Sequence, residues 1–280
     1  ADDRHQGGKQ DQDKIPAFHV VMLLSRKGPR CHSCRIAPPG MPGARIGRQS
    51  FPAVYVRIGG RCDNAACAKL PEPMKQKIVA LVPAAGTGTR LGDALPKQYL
   101  AINHRPLIYH ALAALSAVTR ISRIVVVLSP DDQHWQSLMA AAGHTLDGRI
   151  ETLPVGGASR GESVVNGLLS LAGDMQPDDW VLVHDAARPC IRTELIEQFI
   201  DELEFDPIGG LLALPLADTI KQADSTLRAE KTLPREGVWR AQTPQMFRYA
   251  MLKTALQKMP QATDEAQAIE ALGHRPKLVM

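Results

Sequence analysis

The stretch that decides the fold is Ile78-Val79-Ala80-Leu81-Val82, followed at once by Pro83-Ala84-Ala85-Gly86-Thr87-Gly88-Thr89-Arg90-Leu91-Gly92. An unbroken apolar run of this length, rich in β-branched residues and ended by small ones, suits a strand covered on both faces. Working outward, residues 107–118 have helical spacing and Ile124-Val125-Val126-Val127-Leu128 repeats the buried-strand pattern. Residues 132–142 and 162–172 read as helices, and Trp180-Val181-Leu182-Val183 is a strand ending at His184-Asp185. A helix over 194–204 and a strand at Gly210-Leu211-Leu212-Ala213-Leu214 complete the rhythm. Strands alternating with helices predict an α/β fold, a mostly parallel sheet with helices on both faces. In such sheets ligands sit beyond the carboxyl ends of the strands, where the glycine-rich loop and Asp185 both fall.

The loop matches neither common phosphate fingerprint. Gly86-x-Gly88 is followed by Leu91 where a dinucleotide motif has glycine, and the Walker spacing is absent. Small residues at Ala84, Ala85, Gly86 and Gly88 still let a ligand approach the backbone, whose N–H groups can cradle phosphate oxygens. Arg90 and Lys97 add two cations. Asp185, with Arg188 close behind it, suits a Mg²⁺ ligand, since Mg²⁺ takes one or two carboxylates and draws its other ligands from phosphates and water. The plainer reading of Asp185 is a turn or helix-capping aspartate. His184 is read as a packing or hydrogen-bonding histidine, and Cys190 as a small buried hydrophobe.

Composition bounds the rest. The chain has 280 residues, 44% hydrophobic and 22% charged, which excludes wholesale disorder and a collagen-like chain. The apolar run Phe18–Leu24 is far short of the roughly 20 residues of a membrane span, and no secretory signal is read. A formal charge of +4 conceals a division. Residues 1–73 hold 12 Lys/Arg against 6 Asp/Glu, and residues 74–280 hold 21 against 23. The first segment also carries 8 glycines, 8 prolines and four of the five cysteines. It is read as an irregular basic extension, disordered or upstream of a natural start at Met74. The sharper readings of it are a zinc site from Cys31, Cys34, Cys62 and Cys67, or a basic RNA-binding appendage. Scattered cations without interleaved aromatics argue against nucleic acid as a partner.

Together PAAGTGTRLGDALPKQYL (83–100), VGGASRGESVVNGL (155–168), VLVHDAARPC (181–190), ADTIK (217–221), GVWRAQTPQMF (237–247) and TDEA (263–266) resemble, in order, the motifs of the 2-C-methyl-D-erythritol 4-phosphate cytidylyltransferase family. The resemblance implies a Rossmann-like nucleotidyltransferase domain over 74–280. It implies transfer of CMP from CTP to methylerythritol phosphate with Mg²⁺ (or another divalent cation), in the cytoplasm, by a homodimer. It assigns Ala84, Ala85 and Gly86 to the CTP loop, Arg90 and Lys97 to the triphosphate and the reacting phosphorus, and Gly157 and Ser163 to the cytidine pocket. Asp185 becomes the Mg²⁺ ligand, Ala186 a neighbour of the ribose or base, and Thr219, Arg235 and Thr243 the acceptor-binding residues. Residues of about 214–238 become an arm embracing a second subunit. Two features depart from the family pattern. Ala158 stands where an acidic residue often lies near the nucleotide, and the sequence ends at Met280, before a further strand bearing a substrate-contacting lysine; the domain is therefore read as C-terminally truncated. The rival readings are another nucleotidyltransferase of the same fold, such as one acting on ribitol 5-phosphate, and an impaired chain whose N-terminal segment binds zinc or nucleic acid.

Overall fold

The structure is a computed structural model that describes residues 76–86, 95–142 and 148–280. The extension 1–73 with its cysteine pairs, the boundary at Met74, and the loop residues 87–94 with Arg90 lie outside the described residues.

In chain order the elements begin with β1 (Ile78–Pro83), a 3-10 turn at Lys97–Tyr99, β2 (Ala101–Ile102), β3 (Arg105–Pro106), α1 (Leu107–Ser116) and β4 (Ile121–Val127). They continue with α2 (Trp135–Ala142), β5 (Ile150–Leu153), α3 (Arg160–Ser170), β6 (Trp180–Val183), α4 (Thr193–Leu203) and β7 (Gly209–Pro215). The last are β8 (Ile220–Ala223), β9 (Ala229–Leu233), β10 (Trp239–Arg248), α5 (Tyr249–Lys258), α6 (Glu265–Ala271) and β11 (Lys277–Val279). Seven strands form one sheet in the order β11-β7-β10-β6-β1-β4-β5. β1 pairs in parallel with β4 and β6, and β10 alone runs antiparallel, between β6 and β7. The expected mostly parallel sheet is present. β1 lies where strand order reverses, the point of such sheets outside whose strand carboxyl ends ligands bind.

The alternation along β1 explains why its sequence is apolar throughout. Ile78, Ala80 and Val82 enter one core with Leu112 and Leu115 of α1 and Ile196 and Phe199 of α4. Val79 and Leu81 enter a second core with Leu168 of α3, Leu252 of α5 and Ile269 of α6. Each of the Val, Leu, Ile and Phe side chains among them contributes about 1.5–3 kcal/mol on burial. Helix α3 lies close on the sheet because Gly167 has no side chain: a Cβ there would sit 2.8 Å from Val127 Cγ2 and 2.9 Å from Leu81 Cδ1.

Several boundaries differ from the sequence reading. Helix α2 starts at Trp135 and not at 132, because the Asp132 carboxylate accepts hydrogen bonds from the N–H groups of His134 (3.0 Å) and Trp135 (2.8 Å) and so shapes the turn before the helix. Helix α3 starts at Arg160, two residues earlier than expected, with Ser159 as its N-cap. At the start of the stretch expected as an arm, about 214–238, Leu214 and Pro215 still pair with Arg240 and Trp239 in the sheet. Beyond them β8 and β9 form a separate two-stranded hairpin. Every residue of 217–238 is exposed except half-buried Ile220 and Leu233.

Candidate active site

Strand β1 ends in a turn held from several sides. The Ala84 N–H donates to the Val127 carbonyl (2.8 Å), so that group is committed to the fold and cannot cradle a phosphate. Among the described residues no acceptor meets the N–H of Ala85 or Gly86. The buried Gln98 amide donates to the carbonyls of Ala84 (2.6 Å) and Gly86 (3.0 Å), fixing how this turn is oriented. Its neighbour Lys97 is exposed.

The segment after β5 lies against this turn. Gly156 donates to the Leu128 carbonyl (2.8 Å), and a Cβ at 156 would overlap the Ala85 methyl, so only glycine permits the approach. Gly157 donates to Ser163 Oγ (3.1 Å), which in turn donates to the Ser159 carbonyl (2.9 Å). Ser159 Oγ accepts from the Glu162 N–H, and the Glu162 carboxylate accepts from the Ala158 N–H (2.8 Å), close to a capping box. Gly157 and Ser163 thus shape the segment together.

Asp185 follows β6 and is the centre of the site. Its Oδ1 accepts from Arg160 Nε (2.7 Å) and its Oδ2 from Arg188 Nε (2.9 Å). Arg160 also donates from Nη1 and Nη2 to the two oxygens of Glu265 (2.8 and 3.1 Å), a residue with 0% exposure. Burial alone would raise the Asp185 carboxyl, but the guanidinium groups of Arg160 and Arg188 outweigh it and hold the group below its ordinary value. Burial likewise opposes the charge on Arg160, and Glu265 with Asp185 more than offsets this.

Strand β10 supplies the fourth side. Between Ala241 and Gln245 its register with β7 shifts, lifting Gln242, Thr243 and Pro244 out of the ladder. Arg188 Nη1 donates to Gln242 Oε1 (2.6 Å). Thr243 Oγ1 accepts from the Asp185 N–H (3.2 Å) and lies 3.0 Å from His184 Nδ1. His184 Nε2 lies 3.2 Å from the Arg188 carbonyl, which can only accept, so Nε2 carries the proton and Thr243 donates to Nδ1. Burial pushes His184 down to about 4, against the hydrogen bond to Arg188, and it is neutral at pH 7. The expectation of a hydrogen-bonding histidine is met.

The expected site residues therefore divide. Ala85, Gly86, Gly157, Ser163, Asp185 and Thr243 belong to segments that meet at the carboxyl edge. Ala186 is 4% exposed within the apolar core. Thr219 and Arg235 are exposed near the base of the arm, where Arg235 Nη1 donates to the Ala217 carbonyl. Cys190 is exposed and not the buried hydrophobe expected, because it lies in the loop between β6 and α4 and not in either element. No local pattern in the sequence singles out Arg160, Glu265 or Gln98. Arg160 and Glu265 lie inside the quoted motifs 155–168 and 263–266, but nothing in either motif pairs them.

Among the described residues no group of three or more His, Cys, Asp and Glu could hold a metal. Asp185 alone fits an ion whose remaining ligands are phosphate and water, since each carboxylate oxygen carries one guanidinium bond and keeps a second lone pair.

A family model for 2-C-methyl-D-erythritol 4-phosphate cytidylyltransferase (IspD) matches residues 78–280. The enzyme of that name from Nitrosospira multiformis is 52% identical over 212 residues, 73% of this chain and 89% of its own. The Dechloromonas aromatica enzyme is 54% identical over 200 residues, 71% of this chain and 86% of its own. Among solved structures, a crystal structure of 4-diphosphocytidyl-2C-methyl-D-erythritol synthase aligns with a TM-score of 0.63 at 36% identity, covering 73% of this chain and 89% of that one. The Francisella tularensis 2-C-methyl-D-erythritol 4-phosphate cytidylyltransferase aligns with a TM-score of 0.59 at 30% identity, covering 73% and 90%.

Proposed function

Because this chain belongs to the 2-C-methyl-D-erythritol 4-phosphate cytidylyltransferase family, we propose that it transfers CMP from CTP to the 4-phosphate of 2-C-methyl-D-erythritol. The products are 4-diphosphocytidyl-2-C-methyl-D-erythritol and diphosphate. The observation that carries this is Asp185, fixed between two guanidinium groups beside the turn after β1, in a chain matched along 78–280.

In this reaction a 4-phosphate oxygen forms a bond to the α-phosphorus of CTP while the bridging bond to the β-phosphate breaks and its electron pair leaves with diphosphate. The nucleophile is already ionised near neutrality, so no general base is required. The barrier is mainly electrostatic, because an anion attacks an anion. The N–H groups of Ala85 and Gly86, with Lys97 and Arg90, are assigned to the triphosphate. Gly157 and Ser163 shape the nucleoside side, and Ala186 supports it from within the core. Asp185 would hold Mg²⁺, which when bound supplies counter-charge to the phosphates.

The acceptor is assigned to Thr219 and Arg235, whose planar fork suits a phosphate, with Thr243 beside Asp185. Among the described residues no hydrogen bond joins the arm to the Asp185 cluster. A homodimer in which one chain's arm completes its partner's site accounts for that separation. The cytoplasm, where CTP is made, is the proposed compartment, and no described helix is long and apolar enough to cross a membrane.

The test is diphosphate release from CTP with Mg²⁺. Turnover with methylerythritol phosphate and little with ribitol 5-phosphate, and little with UTP or GTP in place of CTP, is expected. Equal turnover with ribitol 5-phosphate would transfer the chain to the rival specificity.

A further inference from the structure

We propose that Arg160 is a positioning residue for Asp185, aimed by the buried carboxylate of Glu265; this rests on the cytidylyltransferase reading above. Arg160 opens α3, at the positive end of the helix dipole, where an acidic side chain is favoured and a cation is not. The helix start is already satisfied by Ser159 and Glu162. Helix formation therefore gives no reason for an arginine here.

Its hydrogen bonds do. Two near-parallel bonds to Glu265, at 2.8 and 3.1 Å, fix the guanidinium plane. Fixing the plane fixes the direction of Nε–H, which points at Asp185 Oδ1 from 2.7 Å. Glu265 is fully buried at the start of α6, and that helix end is tied to β10. There Gln245 accepts from the Ala266 N–H (2.8 Å) and donates to Asp264 (3.0 Å). The same strand supplies Thr243, which accepts the Asp185 N–H. Asp185 is thus referenced to β10 twice, through its backbone by Thr243 and through its carboxylate by Arg160, Glu265 and Gln245.

The second guanidinium on Asp185 is held differently. Arg188 is more exposed, at 44% against 32% for Arg160, and its other side-chain hydrogen bond goes to the neutral, half-buried Gln242 and not to a buried carboxylate. A phosphate can draw Arg188 away from Asp185. Arg160 cannot leave without stranding a buried carboxylate, which costs more than an exposed pair returns. One partner of Asp185 is therefore fixed and the other exchangeable. A lysine at 160 would keep the charge but could not bridge two carboxylates with one rigid plane.

The experiment uses the full chain with three proteins: wild type, Arg160→Lys, and the double variant Arg160→Met/Glu265→Gln, which removes both charges of the buried pair. Melting temperature, kcat, KM for both substrates, and Mn²⁺ binding in the presence of CTP (by electron paramagnetic resonance) are measured. Outer-shell partners of metal ligands typically change activity or metal affinity by about 10–100-fold. Arg160→Lys is expected to stay folded, lose at least about tenfold in kcat with little change in acceptor KM, and bind Mn²⁺ at least about tenfold more weakly. The double variant is expected to melt near wild type and remain equally slow, because restoring stability does not restore the aim of Asp185. A folded variant of either kind with kcat and Mn²⁺ binding within twofold of wild type would overturn the proposal. So would unfolding of Arg160→Lys, which would assign Arg160 to stability. Absence of turnover in wild type would instead count against the cytidylyltransferase reading, and the Mn²⁺ arm would still decide the role of Arg160.

Discussion

Around Asp185, hydrogen bonds arrive from residues far away in sequence: Arg160 on α3, Thr243 on β10, and Glu265 at one remove on α6. In the arm the side-chain bonds among the described residues are all local. Lys221 Nζ reaches Thr232 Oγ1 across the hairpin (2.6 Å), and Asp224 accepts from Thr226 and Arg228 at its tip. The first region is built into the core; the second has a defined backbone and almost no buried surface. The contrast teaches where each kind of change should register. Alterations near Asp185 act on the chemical step or on folding, whereas alterations in the arm act on what the arm touches.

Asp185→Asn should give the largest effect. Losing one preorganised charge of this kind costs about 3–4 kcal/mol of barrier, a factor of hundreds in kcat. Steady-state kinetics normalised to folded protein would check it, and near-normal kcat with a lowered melting temperature would reduce Asp185 to a turn aspartate. Acid titration comes next. His184 is held at about 4 when folded, below the ordinary value near 6.5, so the unfolded chain binds the extra proton between those values. Stability is therefore lost as pH falls from about 6.5 towards 4, by about 2–3 kcal/mol. Asp185, also held low by its arginines, adds to the loss only below the usual carboxylate range. Urea midpoints at pH 7 and 4.5 measure this, and His184→Gln should flatten the difference.

Lys97→Ala should cost about 2 kcal/mol of barrier through one lost charged contact, with stability unchanged within about 0.5 kcal/mol because the side chain is exposed. A changed melting temperature would move Lys97 from chemistry to structure. In the arm, Arg235→Ala should raise the acceptor KM about tenfold and leave CTP binding alone, as calorimetry can verify. Mixing it with an Asp185→Asn chain tests whether sites are shared: if each site draws on both subunits, the mixed dimer recovers part of the activity. Leu227→Ser, at a tip residue 90% exposed, should shift stability by less than about 0.5 kcal/mol. A larger loss would mean that the tip is covered in the assembled protein.

Buried centres were legible in the sequence and edges were not. β1, β4, β6 and β7 are apolar runs because helices cover both faces, and each was readable. β5, Ile150-Glu151-Thr152-Leu153, lies at the sheet's edge and is short and mixed, and β11 is shorter still. β10 was recognised only as a motif, since Gln242, Thr243, Pro244 and Gln245 interrupt any strand pattern exactly where the strand leaves its ladder. The site divided in the same way. The Asp185 position follows from a strand end, which is a local signal, and so does the small-residue turn. The link from Arg160 to Glu265 spans 105 residues and depends on helix packing that periodicity does not encode. That the Ala84 N–H is committed to an acceptor in β4 is likewise invisible in the local sequence.

The placement of β10 also governs the order in which the molecule can be made. The partner of β6 on one side, β1, precedes it in the chain, whereas the partner of its other edge, the segment pairing Gln245 with Val183, is synthesised about 60 residues later. An open edge beside an apolar strand is a template for wrong pairing. Nascent chains halted before Trp239 should accordingly be caught by chaperones more than chains halted after Arg248, which ribosome-bound crosslinking can measure. Since Thr243 and Gln245 lie on that late strand, the carboxylate at Asp185 acquires its final surroundings only after β10 and the start of α6 have left the ribosome. A chain interrupted in translation is therefore left with an unfinished, idle centre.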